Sequence, residues 1–535
     1  MALTDIRPET ASPSSDTADD GATRTLPTSV ERVLGSGDHK TVGRIFIGAS
    51  LLFVACDLVI AALVNLNAAA GTDYFLDPTV ANRFGLNNPI ALLFCGAMPL
   101  VLGLAIYLVP LQVGSPTIAF PRAAALSLWS WLGGTALFTV AMLVKGSYGG
   151  SSLKLTRLGH VSFGLLAVSM LVGVVCVMVT VMSHRTAGMT ISRVPFFSFS
   201  MLVTGALWLV TLPPLLAIIT VWEIRRPSTD DLELSAYPAL TWIFHQPAIY
   251  IVAIPLLGIL ADTCGAVGRQ RQRSYSLVQG LIVAFGALSF GAWAQTEATR
   301  QTLVWVVAAV AIAIPVVATL GASLDTLRRG KFAVTGGLVI VVTSAVLLLV
   351  AATVGALQGI STVGHGQWFD LASGGFGTAG PGVSIGQFYL VIAAVVVGGI
   401  GATFQWGTRL FKGGLPKGAG LALAPLALIG GLAFGLGHVI MGLAQPGADG
   451  AKALATVSGV GAGVLALLSL GVFGAVVKAA VDTNSDSVVV ADEEPAGGTF
   501  EWLTASPPVA GNFAADLAAV ESEYPVLDLN EEGAS

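Results

Sequence analysis

The sequence predicts an all-α integral membrane protein with twelve transmembrane helices. Of its 535 residues, 54% are hydrophobic and only 11% are charged, whereas soluble chains carry about a quarter charged residues. Apolar stretches recur from end to end, and each is long enough to cross a hydrocarbon layer of about 30 Å as a helix. This composition excludes a soluble globular fold, and no basic patch with interleaved aromatic residues suggests a nucleic-acid partner.

The apolar runs place twelve spans between two polar ends of the chain. A segment rich in Ser, Thr, Asp and Pro (1–42) precedes the membrane domain (43–480), and an acidic tail (481–535) follows it. The N-terminal segment is too polar and too long for a secretory signal, so the first span is expected to remain as an anchor. The predicted spans cover residues 43–66, 88–111, 124–145, 161–183, 196–223, 237–261, 275–295, 302–322, 333–357, 383–406, 418–443 and 453–480.

The distribution of basic residues predicts how these spans are oriented. With the N-terminus inside, most of the 26 Lys and Arg residues fall in the N-terminal segment and in the loops on the inner side. Short cytoplasmic loops of membrane proteins carry an excess of Lys and Arg. Both terminal segments are therefore predicted to be cytoplasmic.

Six short motifs give the sequence a more specific pattern than its hydropathy. They lie near the first span, after the second, in the sixth, at the end of the seventh, in the tenth and in the tail. They read DHKTVGRIF (38–46), YLVPLQVGSPTIAFPR (107–122), HQPAIYIVAIP (245–255), GAWAQ (291–295), QFYLVI (387–392) and TFEWLTASPPVAGNF (499–513).

Together with the twelve spans, these motifs resemble subunit I of the heme–copper oxidases, over about residues 31 to 528. The motif after the second span and the motif in the tail are the most specific pieces. The resemblance implies twelve helices in three arcs of four around a pseudo-threefold axis. It also implies a family activity, the transfer of electrons from cytochrome c to oxygen with proton pumping, which uses two hemes and a copper held by six histidines.

Carried over position by position, the resemblance assigns the six metal-ligand positions to residues that are not histidine. Pro247, Tyr250 and Pro255 align the sixth span, which puts Gln246 at a copper-ligand position and leaves His245 one place off. One place on a helix is a rotation of about 100°, which points the His245 ring away from the site. The six positions hold Asn88, Gln246, Gln295, Thr296, Gln387 and Tyr389.

These replacements lead to the prediction that the chain holds no heme and no copper. Heme iron and copper in such sites are held by imidazole nitrogens, and the amide oxygens of Gln and Asn are hard, weak donors. A Tyr can ligate ferric heme, so Tyr389 is kept as an alternative ligand. The six histidines of the chain fall elsewhere, and structural roles are favoured for them.

The resemblance also implies proton-transfer positions, and these carry other residues as well. The two acidic positions of the family are Thr117 and Ala248, and the lysine position of the eighth span is Thr319. The arginine pair that holds the heme propionates is replaced by Gly and Ala at 447–448. The active-site tyrosine of the family is retained as Tyr250.

The polar residues at the vacated positions have two interpretations. Each unmet hydrogen bond in a membrane interior costs several kcal/mol, so the favoured interpretation is an amide network that joins helices. The alternative is a new polar site for a lipid head group, a quinone, an ion or a file of water. Asp57 is the clearest buried ionisable residue, and acids inside spans are functional by default, although a neutral, hydrogen-bonded Asp57 fits equally well.

An empty heme pocket would be destabilising, at roughly 24 cal/mol for each Å³ of cavity. Small residues let helices approach closely, and the tenth span carries Gly398, Gly399 and Gly401. We therefore expect a partial collapse of the interior around the second and tenth spans.

The sequence thus predicts a catalytically disabled paralogue of cytochrome c oxidase subunit I in a bacterial plasma membrane. Its role would be structural, regulatory or in assembly, and its partners would be membrane lipids and other respiratory oxidase subunits, with an intact subunit I as one candidate. Two alternatives stay open. The first alternative is a working terminal oxidase subunit with unrecognised ligands. The second is a membrane binder or conductor that uses the vacated cavity.

Overall fold

The structure is a computed structural model, and its description covers most of the chain. All the helices given below lie in a unit of residues 37–535. The described residues are 36–71, 74–148, 153–225, 240–244, 248–290, 303–330, 332–363, 382–412, 414–443, 450–483, 497–513, 517 and 519–534.

Twelve apolar helices make up the unit, and the described residues contain no strand. Eleven are long and apolar enough to cross a membrane, while α7 has 15 described residues and is followed by a stretch (291–302) outside the description. The predicted all-helical membrane fold is confirmed. The helices are α1 (His39–Ala70), α2 (Pro78–Gln112), α3 (Pro121–Leu143), α4 (Leu153–Ser183), α5 (Phe196–Arg225), α6 (Ala248–Gly268), α7 (Tyr275–Ser289), α8 (Leu303–Arg329), α9 (Gly336–Val363), α10 (Val383–Gln405), α11 (Lys417–Leu443) and α12 (Gly450–Thr483).

The starts of α1 and α2 follow from capping residues. The Asp38 carboxylate accepts a hydrogen bond from the Lys40 backbone N–H at 3.3 Å, so α1 begins at His39. The Asp77 carboxylate accepts from the Thr79 N–H at 2.9 Å, and Pro78 occupies the first turn, where its missing N–H costs nothing.

The helix α2 is continuous but changes its winding. Pro89 lies inside it and cannot donate to the preceding turn, and a π-helical segment follows over Ala91–Ala97. Regular α-helix resumes at Met98 and continues to Gln112. The 35 residues of α2 therefore form one continuous helix with a wider, π-helical segment near its middle.

The described residues of the sixth span are 3₁₀-helical before they become α-helical. Within the predicted span 237–261, Thr241–Phe244 and Ala248–Val252 form 3₁₀ helix, and regular α-helix starts at Ile254. The reason is Pro255, which lacks an N–H and clashes with the carbonyl one turn earlier, so the regular helix can only begin around it. The helix ends at Gly268, before Arg269 in the left-handed conformation with φ 48°.

Three helices form the centre of the unit and nine surround them. The most apolar stretch of α2 is fully buried and those of α6 and α10 are 94% buried, while the other long helices bury between 39% and 67%. Glycines let the central helices approach their neighbours: a Cβ on Gly399 of α10 would lie 2.5 Å from Leu100 of α2. The candidate site residues of α2, α6 and α10 therefore face protein rather than lipid.

Candidate functional site

Gln387 and Tyr250 form one buried polar pair near the centre of the unit. Gln387 lies in the first turns of α10, and Tyr250 lies in the 3₁₀ segment of α6. The Gln387 Nε2 donates to the Tyr250 hydroxyl at 2.7 Å, and that hydroxyl donates to the Ala351 carbonyl of α9 at 3.0 Å. Gln387, which the sequence predicts at a ligand position of the family, and Tyr250 thus join three helices through hydrogen bonds.

Asn88 and Asp57 form a second pair, between α2 and α1. The Asn88 Nδ2 donates to the backbone carbonyl of Asp57 at 2.8 Å, and both side chains are buried. The Asp57 Oδ2 and the Asn88 Oδ1 have no hydrogen-bond partner among the described residues. Two buried acceptor atoms therefore remain available for a proton or another donor.

Tyr389 lies in an aromatic cluster instead of a polar one. Its ring stacks on Phe434 of α11 with centroids 4.1 Å apart, and the His438 ring lies 5.0 Å away. His438 is buried, and among the described residues neither of its ring nitrogens has a partner. The sequence did not single out His438 as a neighbour of Tyr389, because 49 positions of chain separate two residues that only helix packing brings together.

The remaining predicted positions do not join these pairs. Thr117 lies in the connection between α2 and α3 and is partly exposed, and Ala248 is buried at the start of α6. Thr319 is buried in α8, where its hydroxyl has no partner among the described residues. Gln246, Gln295, Thr296, the neighbouring His245 and the Gly and Ala at 447–448 lie outside the described residues.

A buried acidic cluster at the other end of α2 was missed by the sequence reasoning. The Gln112 Nε2 donates at 3.2 Å both to Asp262 of α6 and to Glu501 of the tail. The Trp406 indole N–H also donates to Glu501, at 3.2 Å. Burial raises the pKa of the Glu501 carboxyl above its ordinary value, against the hydrogen bonds that lower it. The tail motif around Glu501 was the available signal.

The described side chains do not fit the imidazole coordination that the resemblance implies. Asn88 and Gln387 offer amide groups whose N–H atoms are already used by Asp57 and Tyr250, and Tyr389 offers a phenol packed against other rings. Amide and phenol oxygens do not replace histidine as the ligands of these metals. No step of oxygen reduction can be placed on these three side chains.

Eleven described helices long and apolar enough to cross a membrane, three of them buried almost completely, define a polytopic membrane protein. The family model described as "Cytochrome C and Quinol oxidase polypeptide I" matches residues 41–448 of the chain. The chain belongs to this family, and the resemblance found in the sequence is confirmed.

Curated relatives match along most of the chain. The cytochrome c oxidase subunit 1 of Bacillus subtilis is 26% identical, over 89% of this chain and 79% of its own length. The putative cytochrome c oxidase subunit 1-beta of Streptomyces coelicolor is 27% identical, over 97% of this chain and 94% of its own length. The quinol oxidase subunit 1 of Bacillus spizizenii is 28% identical, over 48% of this chain.

Family membership contradicts the prediction that no cofactor is bound. Relatives along nearly the whole chain are named cytochrome c oxidase subunit 1, and that heme–copper family carries heme and copper. The prediction was wrong because it inferred the absence of every cofactor from the side chains at six positions alone. The described interior also contains the His438 ring, whose two nitrogens have no hydrogen-bond partner there.

Proposed function

We propose that this chain is a subunit I-like protein that does not itself reduce oxygen and that supports a respiratory complex through a structural, regulatory or assembly role. The observation that carries the proposal is the Gln387–Tyr250–Ala351 hydrogen-bond chain. In this hydrogen-bond chain, the residue predicted at a ligand position of the family is Gln387, and its amide N–H donates to Tyr250 and joins two helices. The proposal concerns turnover, and it does not depend on whether the interior holds heme.

The proposed location and partners follow from the family. The proposed location is the bacterial plasma membrane, which the membrane-spanning helices and the bacterial oxidase relatives support. Both terminal segments are proposed to be cytoplasmic, because the loops on that side are basic. Its proposed partners are membrane lipids and other oxidase subunits, among them an intact subunit I. The tail that lies across one end of the helices offers such partners an ordered surface.

A second candidate is a working terminal oxidase subunit, and the names of the relatives favour it. They include both cytochrome c oxidase and quinol oxidase subunits. In this case ligands other than the six family positions hold the metals, and cytochrome c or a quinol delivers the electrons. The two candidates differ in one measurable quantity, the rate of oxygen consumption by the chain without any other subunit I.

The test uses the full chain, tagged and purified from a host that lacks its own heme–copper oxidases. Oxygen consumption is measured with reduced cytochrome c and, separately, with a quinol, and heme is measured by visible absorption. The Bacillus subtilis relative, prepared in the same way, is the positive control. The proposal predicts no oxygen consumption above the background of empty membranes, whatever the heme content.

Oxygen uptake that scales with the amount of this chain would reject the proposal and establish the second candidate. A supporting measurement is made in the native cell. Deleting the chain should lower the amount of the assembled respiratory complex, and a Gln387→Leu variant that folds should restore that amount. A binder or conductor that uses the interior polar groups would instead lose its function with Gln387→Leu combined with Gln246→Leu.

A further inference from the structure

Arg83 is a buried cation near the start of α2, on the side of that helix that faces protein. It is 5% exposed and lies one turn before Asn87, whose Nδ2 donates to the Arg83 carbonyl at 2.7 Å and to the Tyr148 carbonyl at 2.8 Å. These bonds fix the backbone around Arg83 against the connection after α3. The backbone that carries the Arg83 side chain is therefore anchored to its surroundings.

The guanidinium has no anionic partner in the described part of the chain. No ion pair there involves Arg83, and its Nε has no hydrogen-bond partner. Its one electrostatic neighbour is the adjacent Phe84 ring, 5.7 Å from the guanidinium carbon. An aromatic ring compensates a buried charge only weakly compared with a carboxylate or a phosphate.

The other buried Lys and Arg side chains have the oxygen partners that Arg83 lacks among the described residues. Lys40 donates to the Val509 carbonyl at 3.1 Å and to the Asn512 amide oxygen at 3.2 Å. Arg409 donates to the Thr504 carbonyl and stacks over the Trp502 ring. Both lie at the end of the bundle that the tail covers, and both have oxygen partners. Arg83 lies at the opposite end and has none among the described residues.

Such an arrangement is costly unless a ligand supplies the negative charge. Arginine stays charged in proteins, and removing a charge from water costs several kcal/mol unless it is paired. A guanidinium presents several N–H donors in a planar fork that matches the oxygens of a phosphate or carboxylate. The unpartnered donors of Arg83 therefore define an anion-binding position.

The position of Arg83 along α2 indicates which kind of anion it would meet. A helix of 35 residues is about 52 Å long, at 1.5 Å for each residue, whereas the hydrocarbon layer is about 30 Å thick and about 40–45 Å with its head groups. Each end of α2 thus extends roughly 11 Å beyond the hydrocarbon. Arg83 is about 7 Å from the start of the helix, so it lies at the level of the lipid phosphates.

We propose that Arg83 binds a phosphate group at the end of the helix bundle remote from the tail. The phosphate comes either from the head group of a membrane lipid or from free phosphate, and the guanidinium recognises the same oxygens in both. This site is independent of the proposed function, because it uses none of the family ligand positions.

The experiment compares the full chain with two Arg83 variants and one control. Arg83→Gln removes the charge, Arg83→Lys keeps the charge without the planar fork, and Arg157→Gln changes an arginine that is half exposed and lies 4.0 Å from Glu223. Each protein is delipidated in a phosphate-free detergent. Thermal unfolding is then measured with inorganic phosphate at constant ionic strength, with phosphatidylglycerol, and with a phosphate-free glycolipid.

The unaltered chain and Arg157→Gln should gain thermal stability from phosphatidylglycerol or inorganic phosphate and not from the glycolipid, because a ligand that binds only the folded state stabilises it. Arg83→Gln should lose that gain, and Arg83→Lys should bind at least about tenfold more weakly. A gain with the lipid alone identifies a head group, and a gain with inorganic phosphate identifies a soluble anion. The site would be overturned if the unaltered chain gained no thermal stability from either phosphate ligand, or if Arg83→Gln gained as much as the unaltered chain. If Arg83→Gln does not fold, then unchanged binding by Arg83→Lys would overturn the site.

Discussion

The buried Tyr250 hydroxyl makes two hydrogen bonds. It donates to Ala351 and accepts from Gln387, and the residue is fully buried. Hydrogen bonds between membrane helices contribute modestly, about 0.6 kcal/mol on average. Leaving one buried partner unpaired costs more, about 1–3 kcal/mol. At the scale of the residue, removing both Tyr250 and Gln387 groups should therefore cost less than the sum of removing each alone.

Tyr250→Phe tests this directly. The change removes the hydroxyl and leaves the Gln387 amide without that acceptor and the Ala351 carbonyl without that donor, so the free energy of unfolding should fall by about 1–3 kcal/mol. Adding Gln387→Leu should cost less than the sum of the single changes, by about 0.5–3 kcal/mol. The measurement is denaturant unfolding of the purified chain in detergent.

The control for this cycle is Tyr74→Phe. Tyr74 is 72% exposed, and substitutions at such positions usually change stability by less than about 0.5 kcal/mol. Additive effects of Tyr250→Phe and Gln387→Leu would show that the two side chains do not depend on each other.

At the scale of the element, α1 and α2 are held together by close backbone contact. A Cβ on Gly103 of α2 would lie 2.5 Å from the Phe46 Cβ, 3.0 Å from the Ile47 nitrogen and 3.2 Å from the Gly43 carbonyl. Two of these atoms belong to the α1 backbone, which cannot rotate away. Small residues at such crossings allow the van der Waals packing that joins helices in membranes.

Gly103→Ala should therefore force α1 and α2 apart. Overpacking of this kind typically costs about 1–3 kcal/mol, and the midpoint of thermal unfolding should fall accordingly. Gly133→Ala is the matched control, because a Cβ there meets no atom within 4 Å in the helix α3. The control should be neutral or stabilising, by up to about 1 kcal/mol, since Ala favours helix over Gly. Equal stability of the two variants would contradict the close crossing.

At the scale of the whole molecule, the tail joins helices that are distant in sequence. The Glu501 carboxylate accepts from Gln112 of α2 and from Trp406 after α10, while Asn512 donates to the Ser115 carbonyl at 2.7 Å. Lys40 of α1 donates to the tail as well. The end of the bundle that contains Asp262 is therefore closed by a segment from the far end of the chain.

Docking of the tail should weaken as the pH rises. Burial raises the pKa of Glu501 above its ordinary value of 4.5, so the docked tail favours the protonated acid. The stabilisation is fully present below the ordinary pKa and is lost as the pH rises through the raised one. The Asp262 carboxylate, which shares the Gln112 amide with Glu501, has the same sign of charge and acts in the same direction.

Hydrogen–deuterium exchange of residues 497–513, corrected for the intrinsic effect of pH, should therefore increase from about pH 5 to about pH 8. Glu501→Gln keeps the acceptor oxygen and cannot ionise, so its exchange should stay flat over the same range. Asp77→Asn, at an exposed cap remote from the tail, should behave like the unaltered chain. An unchanged slope in Glu501→Gln would show that another group controls docking.

Several features of the fold were predictable because they depend on local chemistry. The apolar runs predicted twelve helices, and Asp38 and Asp77 begin two of them through hydrogen bonds within four residues. The 3₁₀ winding before Ile254 was not predicted, since hydropathy does not register the backbone effect of Pro255. The family could be predicted from motifs, while the absence of cofactors could not be inferred from six side chains.

The sequence alone determined that this chain crosses the membrane many times and belongs to the oxidase subunit I family, because hydropathy and motif order are properties of consecutive residues. Only the tertiary structure decided that Gln387 bonds to Tyr250, that His438 lies against Tyr389, and that Arg83 is buried without a described anion. These facts depend on which helix faces meet, and that is set by the packing of side chains far apart in sequence.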